Sequence, residues 1–350
     1  SNQKDGYRIA PSPTGYVHLG TVATALVNSY LARQNGGRFY LRIEDTDSKR
    51  YVADAVAKMK DCFKYFGIEF AETYVQSERA EIYQKYAHDL VKQGKAYYCF
   101  CTEDDLSQMR AVQVKNNEPT GYYGKYAKCR HLSAEEVQQR IQAGQPYVIR
   151  ANFSYQDWGE RIVFNDAARG EIALLPQVND PIILKANGLP PYNFAHVIDD
   201  TLMGTALVIR GEEWLISTAE HIQLCDLLGF PRLNYLHMPT INIEDNGKKR
   251  KLSKRKDPQA LVMNLVDAGY PREAIFEYLL TIYNSDFELW RTANPSAPLT
   301  DFEFKISKIG TNNPLFDLPK FNDIAKNVWA RYDHETMVKY FNAWDWQKWS

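Results

Sequence analysis

The 350-residue chain is poor in cysteine, nearly free of net charge and without long apolar runs, and each absence narrows what it can be. Five cysteines are too few, and odd in number, for a disulfide framework, so a reducing, cytoplasmic setting is expected. No stretch approaches the roughly 18 uninterrupted apolar residues of a membrane helix, so no membrane partner is expected. With 42 basic residues against 43 acidic ones, any nucleic-acid contact must come from local patches rather than global charge. Internal repeats and low-complexity tracts are missing too. A chain 45% hydrophobic and 24% charged is an ordinary folded one, which excludes disordered, collagenous and coiled-coil classes. At roughly 150 residues per domain the length predicts about two or three domains. The polar opening Ser1–Gly6 has neither an apolar signal core nor an initiator Met, and reads as a trimmed or engineered end rather than a targeting segment.

What is present is organised around parallel strands. Tyr7-Arg8-Ile9-Ala10 reads as a buried strand, broken at once by Pro11-Ser12-Pro13-Thr14-Gly15. From Thr21, apolar residues at Ala23, Leu26, Val27, Tyr30 and Leu31 recur at helical spacing, and Gly36-Gly37 stops the helix. Arg38–Ile43 reads as the next strand, which completes a right-handed βαβ unit. A second unit follows much later, with a strand at Ala206–Arg210, a helix at Thr218–Leu228 and a strand at Asn234–Ile241. Between the two lies a tyrosine- and cysteine-bearing stretch with short strand-like pieces such as Pro146–Phe153, which reads as an insertion splitting the sheet. After Asp257 the pattern turns helical, with Pro258 and Pro271 at first-turn positions. Trp344, Trp346 and Trp349 crowd the last seven residues, where a polar end is the rule, so a helical region continuing past residue 350 is expected.

Two strings carry chemistry. Ala10 to Thr21 follows a strand, where ligands of open parallel sheets bind, and leads into a helix whose free N–H groups suit phosphate. Gly20 allows close backbone approach, and His18 offers a donor to a charged oxygen. The other string is Lys248 to Lys256, in which seven of nine residues are basic. Such a run is usually a solvated face or a nucleic-acid patch. Its position beyond the last strand of the second unit also suits a clamp on the β- and γ-phosphates of ATP.

Together, His18-Leu19-Gly20-Thr21 and Lys251-Leu252-Ser253-Lys254-Arg255 resemble the HIGH and KMSKS signatures of class I aminoacyl-tRNA synthetases. Thr21 and Arg255 depart from those signatures as the glutamyl branch does. Arg8–Gly15, Leu41–Asp47 and Arg210–Trp214 add further matches to that branch, and the resemblance runs from Tyr7 to Tyr340. It implies an α/β fold: a Rossmann-like parallel-sheet catalytic domain (5–96 and 186–256) split by an inserted α+β acceptor-stem-binding domain (97–185). A mainly helical stem-contact segment (257–350) follows.

The resemblance also implies a reaction and its residues. ATP with Mg2+ would activate L-glutamate, and the acyl group would pass to tRNA(Glu), with tRNA(Gln) as a further acceptor; the family generally activates glutamate only with tRNA present. His18, Lys251 and Lys254 are the catalytic candidates, and His18, Gly20, Thr21, Ser253 and Lys254 the ATP-binding ones. Glutamate needs guanidiniums for its carboxylates and a carboxylate for its ammonium. Arg210 would read the side chain with Arg8, Ser12 and Tyr192 beside it, and Glu44 would take the ammonium. Asp47 reads as the cap of a helix opening near Ser48, and packing is the alternative for Tyr192. His196, Asp199 and Asp200 are expected to border the pocket.

Cys99-Phe100-Cys101 and Cys129-Arg130-His131 form two same-face pairs if both lie on strands, and together they make a tetrahedral zinc (Zn2+) shell. Zinc in this insertion is found in some members of the family. The alternative is buried free cysteines with a surface histidine; Cys62 and Cys225 read as core. Two other readings of the chain stand beside the main one. A relative that glutamylates queuosine in tRNA(Asp) is opposed by the intact lysine loop and the helices after Asp257. A non-catalytic tRNA-binding paralogue is opposed by His18, Gly20, Lys251 and Lys254 all being in place.

Overall fold

The computed structural model describes residues 3–47 and 54–343; Ser48 and the three terminal tryptophans lie outside them. β1 (Gly6–Ile9) leads through the proline-rich turn into α1 (Leu19–Gln34), and β2 (Arg38–Ile43) follows. α1 ends where Gly36 turns at φ +62°, a conformation that favours glycine. Next come α2 (Ala55–Tyr65), β3 (Glu72–Val75) and α3 (Ala80–Lys92). The tyrosine-rich stretch forms β4 (Ala96–Cys99), α4 (Glu103–Lys115), α5 (Ala134–Gln142), β5 (Val148–Ala151), β6 (Ile162–Asp166), β7 (Gly170–Leu174) and β8 (Ile182–Leu184). The second unit is α6 (Tyr192–Leu202), β9 (Val208–Gly211), α7 (Thr218–Leu228) and β10 (Tyr235–Met238). A hairpin of β11 (Asn242–Asp245) and β12 (Lys248–Lys251) comes before α8 (Val262–Asp267), α9 (Arg272–Tyr283), α10 (Phe287–Ala293), α11 (Leu318–Arg331) and α12 (His334–Ala343).

β1, β2 and β3 pair in parallel, as do β9 and β10. The two groups are stitched by Gly6 N–H donating to Gly204 O at 2.9 Å and Ala206 N–H donating to Gly6 O at 2.8 Å. The result is one parallel layer in the order β3-β2-β1-β9-β10. Between β1 and β9 the connections leave in opposite directions, and this is the switch point that opens a crevice at the strands' carboxyl ends. β6 meets β10 at Asp166 and Tyr235 and pairs with β7, so the β6–β7 hairpin extends this layer even though its residues fall within 97–185. β4, β5 and β8 form a separate antiparallel sheet.

The core explains why α1 lies where it does. Its Leu19, Val22, Ala23 and Ala25 are at most 1% exposed and belong to one cluster with Ile9, Leu41, Ile43 and Ile209 of the sheet. Each of the Leu, Val and Ile side chains contributes about 1.5–3 kcal/mol on burial, which fixes the helix start over the crevice. Among the described residues no helix is long and apolar enough to cross a membrane.

The basic run divides in the structure. Lys248–Lys251 are not loop: they form β12, where Lys248 faces Asp245 and Lys249 faces Glu244 across the hairpin. Opposite charges on paired strands stabilise the hairpin, so only the residues after Lys251 are left as a loop.

Candidate active site

Arg8 on β1 and Arg210 on β9 reach the crevice from neighbouring strands, but their surroundings differ. Arg8 donates through Nε and Nη2 to Asp200 of α6 at 2.9 and 2.8 Å. Arg42 donates to the same carboxylate from Nη1 and Nη2, both at 3.1 Å, and lies 3.3 Å from Glu44. The adjacent Asp199 accepts from Gln76 at 3.0 Å, Arg79 at 2.9 Å and Tyr83 at 2.6 Å. Three guanidiniums thus face three carboxyls in a nearly dry cluster. Burial would raise Asp200, but Arg42 and Arg8 hold it well below the usual carboxylate range. For Glu44 burial wins over the pull of Arg42, and the carboxyl is pushed up to about 7. His196, Asp199 and Asp200 are fully buried rather than at the pocket's border, because the two aspartates are turned into the arginine cluster and His196 is turned onto Asp200.

A cavity of about 740 Å³ is walled by Arg8, Ser12, Glu44, Tyr192, Arg210 and Trp214. A second, of about 330 Å³, is walled by His18, Gly20, Thr21, Glu213, Lys251 and Lys254. They share Thr21, Thr24 and Gly211, so they are two ends of one crevice. Ser253 is on neither wall; its N–H donates to Asp257 at 2.8 Å and shapes the turn instead. Thr24, Glu213 and Trp214 are wall residues that the sequence reading did not single out. Thr24 had a signal, since it lies one helical turn after Gly20 and donates its hydroxyl to the Gly20 carbonyl at 3.0 Å.

His18 is the N-cap of α1, and its Nδ1 accepts from Gly20 N–H at 2.9 Å. The neutral ring therefore carries its proton on Nε2, where it is a donor. Burial lowers its pKa, and Lys254 and Lys251 add to that. A Cβ on residue 20 would stand 3.2 Å from Nδ1, so glycine lets the imidazole fold back over the helix start. Lys254 donates to Tyr16 O at 3.1 Å and Thr14 Oγ1 at 3.4 Å, closing the lysine loop on the proline-rich turn. Arg250 anchors that loop through two hydrogen bonds to Asp257, at 2.7 and 2.8 Å.

Residues 6–291 match the family described as tRNA synthetases class I (E and Q), catalytic domain. The chain belongs to that family. The glutamate--tRNA ligase of Clostridium beijerinckii is 44% identical over 357 residues, which cover 97% of this chain and 64% of that protein. That of Clostridium perfringens strain 13 is 44% identical over 350 residues, 96% of this chain and 64% of its own. Among solved structures, a glutamate tRNA ligase from Elizabethkingia meningosepticum in complex with its amino acid has a TM-score of 0.83 at 29% identity, covering 97% of this chain and 72% of that one. The chain spans about 64% of the length of these Clostridium relatives.

In this class I synthetase chain the cysteines form a second centre. The sulfurs of Cys99, Cys101 and Cys129 all lie within 4.8 Å of one another, a cluster that could hold a metal ion. Hydrogen bonds from Cys101 and Cys129 pull the Cys99 thiol low. His131 is not with them and is exposed. Cys129 and His131 sit on a 3-10 turn, Lys128–His131, not a strand. Three residues per turn splay positions i and i+2 apart, so the same-face expectation fails for this pair. Tyr122 occupies the remaining side, its hydroxyl 3.4 Å from both Cys99 and Cys101. Cys62 and Cys225 are buried on α2 and α7.

Proposed function

We propose that this chain activates L-glutamate with ATP and Mg2+ in the cytoplasm and delivers the glutamyl group to the 3′ end of tRNA(Glu), as a glutamate--tRNA ligase. The observation that carries this reading is one crevice with a guanidinium, Arg210, at one end and His18, Lys251 and Lys254 at the other. An α-carboxylate oxygen of glutamate attacks the α-phosphorus of ATP. The bond to the bridging oxygen breaks, and pyrophosphate leaves with the electron pair. No protein nucleophile is required, so the residues position groups and stabilise charge.

Arg210 and Tyr192 would hold the side-chain carboxylate, with Arg8 and Ser12 alongside, and Glu44 the ammonium. His18 would donate from Nε2 to the α-phosphate region, with Gly20 and Thr21 giving the nucleotide room. Lys251 and Lys254 would meet the charge on the departing pyrophosphate, and Ser253 would act only through the turn it shapes. Residues 97–185 would contact the acceptor stem. Zinc would be held by the Cys99, Cys101 and Cys129 thiolates and would supply a structural cross-link there.

The test is glutamate-dependent ATP–pyrophosphate exchange in the full-length protein with tRNA(Glu) present. Lys254→Ala is expected to lower the exchange rate on the order of a hundredfold while ATP affinity changes little. Near-normal exchange would remove the lysine loop from catalysis.

A further inference from the structure

The two crevice arginines differ in one respect that the reaction alone does not explain. Arg8 is neutralised by a bidentate carboxylate, whereas among the described residues Arg210 has no carboxylate as a hydrogen-bond partner. Its Nε donates to His237 Nε2 at 3.0 Å, and its Nη2 donates to His221 Nδ1 at 3.1 Å and to Thr218 Oγ1 at 2.9 Å. Nη1 faces the cavity, with the Tyr192 hydroxyl at 3.3 Å. The guanidinium lies over the Tyr235 ring, 4.5 Å from its centroid.

A guanidinium can only donate, so the two imidazole nitrogens facing it must be lone pairs and both rings must be neutral. The far side of each ring agrees. His237 Nδ1–H donates to Asp166 Oδ2 at 2.7 Å. His221 Nε2–H donates to Asn193 Oδ1 at 2.7 Å, and the Asn193 amide in turn donates to Glu220. Burial lowers the pKa of both histidines; Arg210 is the next cause for His221, and at His237 it counters the pull of Asp166. The two carboxyl groups of this network therefore stand back from Arg210, Asp166 by one ring and Glu220 by a ring and an amide.

We infer that His221 and His237 are positioning residues that hold Arg210 through neutral acceptors, leaving its charge to be completed by a substrate carboxylate in preference to a carboxamide. The inference rests on the glutamate site proposed above and adds the origin of its acid-over-amide choice. A carboxylate in the place of either ring would hold the guanidinium just as well and cancel its charge. The amide would then be accepted about as readily as the acid.

Isosteric pairs that differ only in charge test this. His221→Asn keeps a neutral acceptor near the Nδ1 position, and His221→Asp puts a carboxylate there; His237→Gln and His237→Glu do the same at Nε2. L-Glutamate and L-glutamine binding would be measured by calorimetry on the folded full chain, with thermal melts as the folding control and ATP affinity as the local one. His221→Asn is expected to keep glutamate affinity within about threefold. His221→Asp is expected to weaken glutamate tenfold or more and to lower the glutamate-to-glutamine ratio by a similar factor, with ATP binding unchanged. If the Asp variant does not fold, the His237 pair decides by the same readout. Equal selectivity in the neutral and charged members of a folded pair would overturn the inference. Failure of the unsubstituted protein to bind glutamate would instead overturn the site itself.

Discussion

Asp200→Asn isolates the floor of the crevice. In the native protein Oδ1 accepts from Arg8 Nε at 2.9 Å, Arg42 Nη1 at 3.1 Å and Thr205 Oγ1 at 2.7 Å. Oδ2 accepts from Arg8 Nη2 at 2.8 Å and Arg42 Nη2 at 3.1 Å, and lies 2.5 Å from His196 Nδ1. Asparagine can keep the first set. At the second it turns an NH2 toward two guanidinium donors and the imidazole, and it removes the charge that two buried cations share. Arg8 is 4% exposed and Arg42 0%, so neither can recover its loss from water. Removing one partner of such a buried pair costs about 3–5 kcal/mol. That is a large share of the roughly 5–15 kcal/mol that holds a folded domain together. Urea unfolding followed by circular dichroism reads it as a lower midpoint at unchanged slope. A loss under about 1 kcal/mol, the size expected of an exposed ion pair, would refute the claim that this carboxylate neutralises both arginines.

Other outcomes follow from the same geometry. The Glu44 carboxyl, pushed up to about 7 by burial, must ionise to hold an ammonium, so L-glutamate affinity should rise as the pH is raised through about 7. The sign for stability is opposite: a raised carboxyl pKa stabilises the free protein below its unfolded value near 4.5, and that contribution is lost as pH climbs through about 7. A flat calorimetric profile between about pH 6 and 8 would remove Glu44 from the ammonium site. Arg210→Ala should weaken glutamate binding on the order of tenfold or more, with ATP affinity little changed, read by the same titrations. Metal analysis of protein purified without chelator should find about one zinc per chain, and Cys129→Ser should lower that content; a fully stable metal-free protein would argue for simple buried thiols.

The parts of the molecule that were legible in the sequence are those whose signal is local. Strand Arg38–Ile43 and helix Thr218–Leu228 have the bounds their patterns predict, because apolar spacing and flanking glycines act over a few residues. Arg8, Ser12, Glu44, Tyr192 and Arg210, which line the larger cavity, stand out in the sequence for the same reason, as strand ends and loops with distinctive chemistry. What escaped depends on contacts between distant segments. Nothing near Asp200 reveals that Arg8 and Arg42 will meet it, and nothing near His221 or His237 reveals that Arg210 will lie between them. The Cys129–His131 pair failed because a period of two was assumed where the backbone coils with a period of three. The basic run was read whole because its partner strand, Asn242–Asp245, shows its acidic side only once the hairpin folds.

The stitch between β1 and β9 has a consequence for how the protein is made. Arg8 and Arg42 come 192 and 158 residues before the Asp200 that neutralises them. On a ribosome adding about 5–20 residues per second, that separation is a delay of roughly ten to forty seconds. Throughout it Arg8 and Arg42 lack the carboxylate they share, and burying them without it would be costly. The floor can be neutralised only once α6 has been made, and β9, β10 and the lysine loop must follow before the sheet and the crevice are whole. A nascent chain interrupted before α6 would hold neither floor nor site.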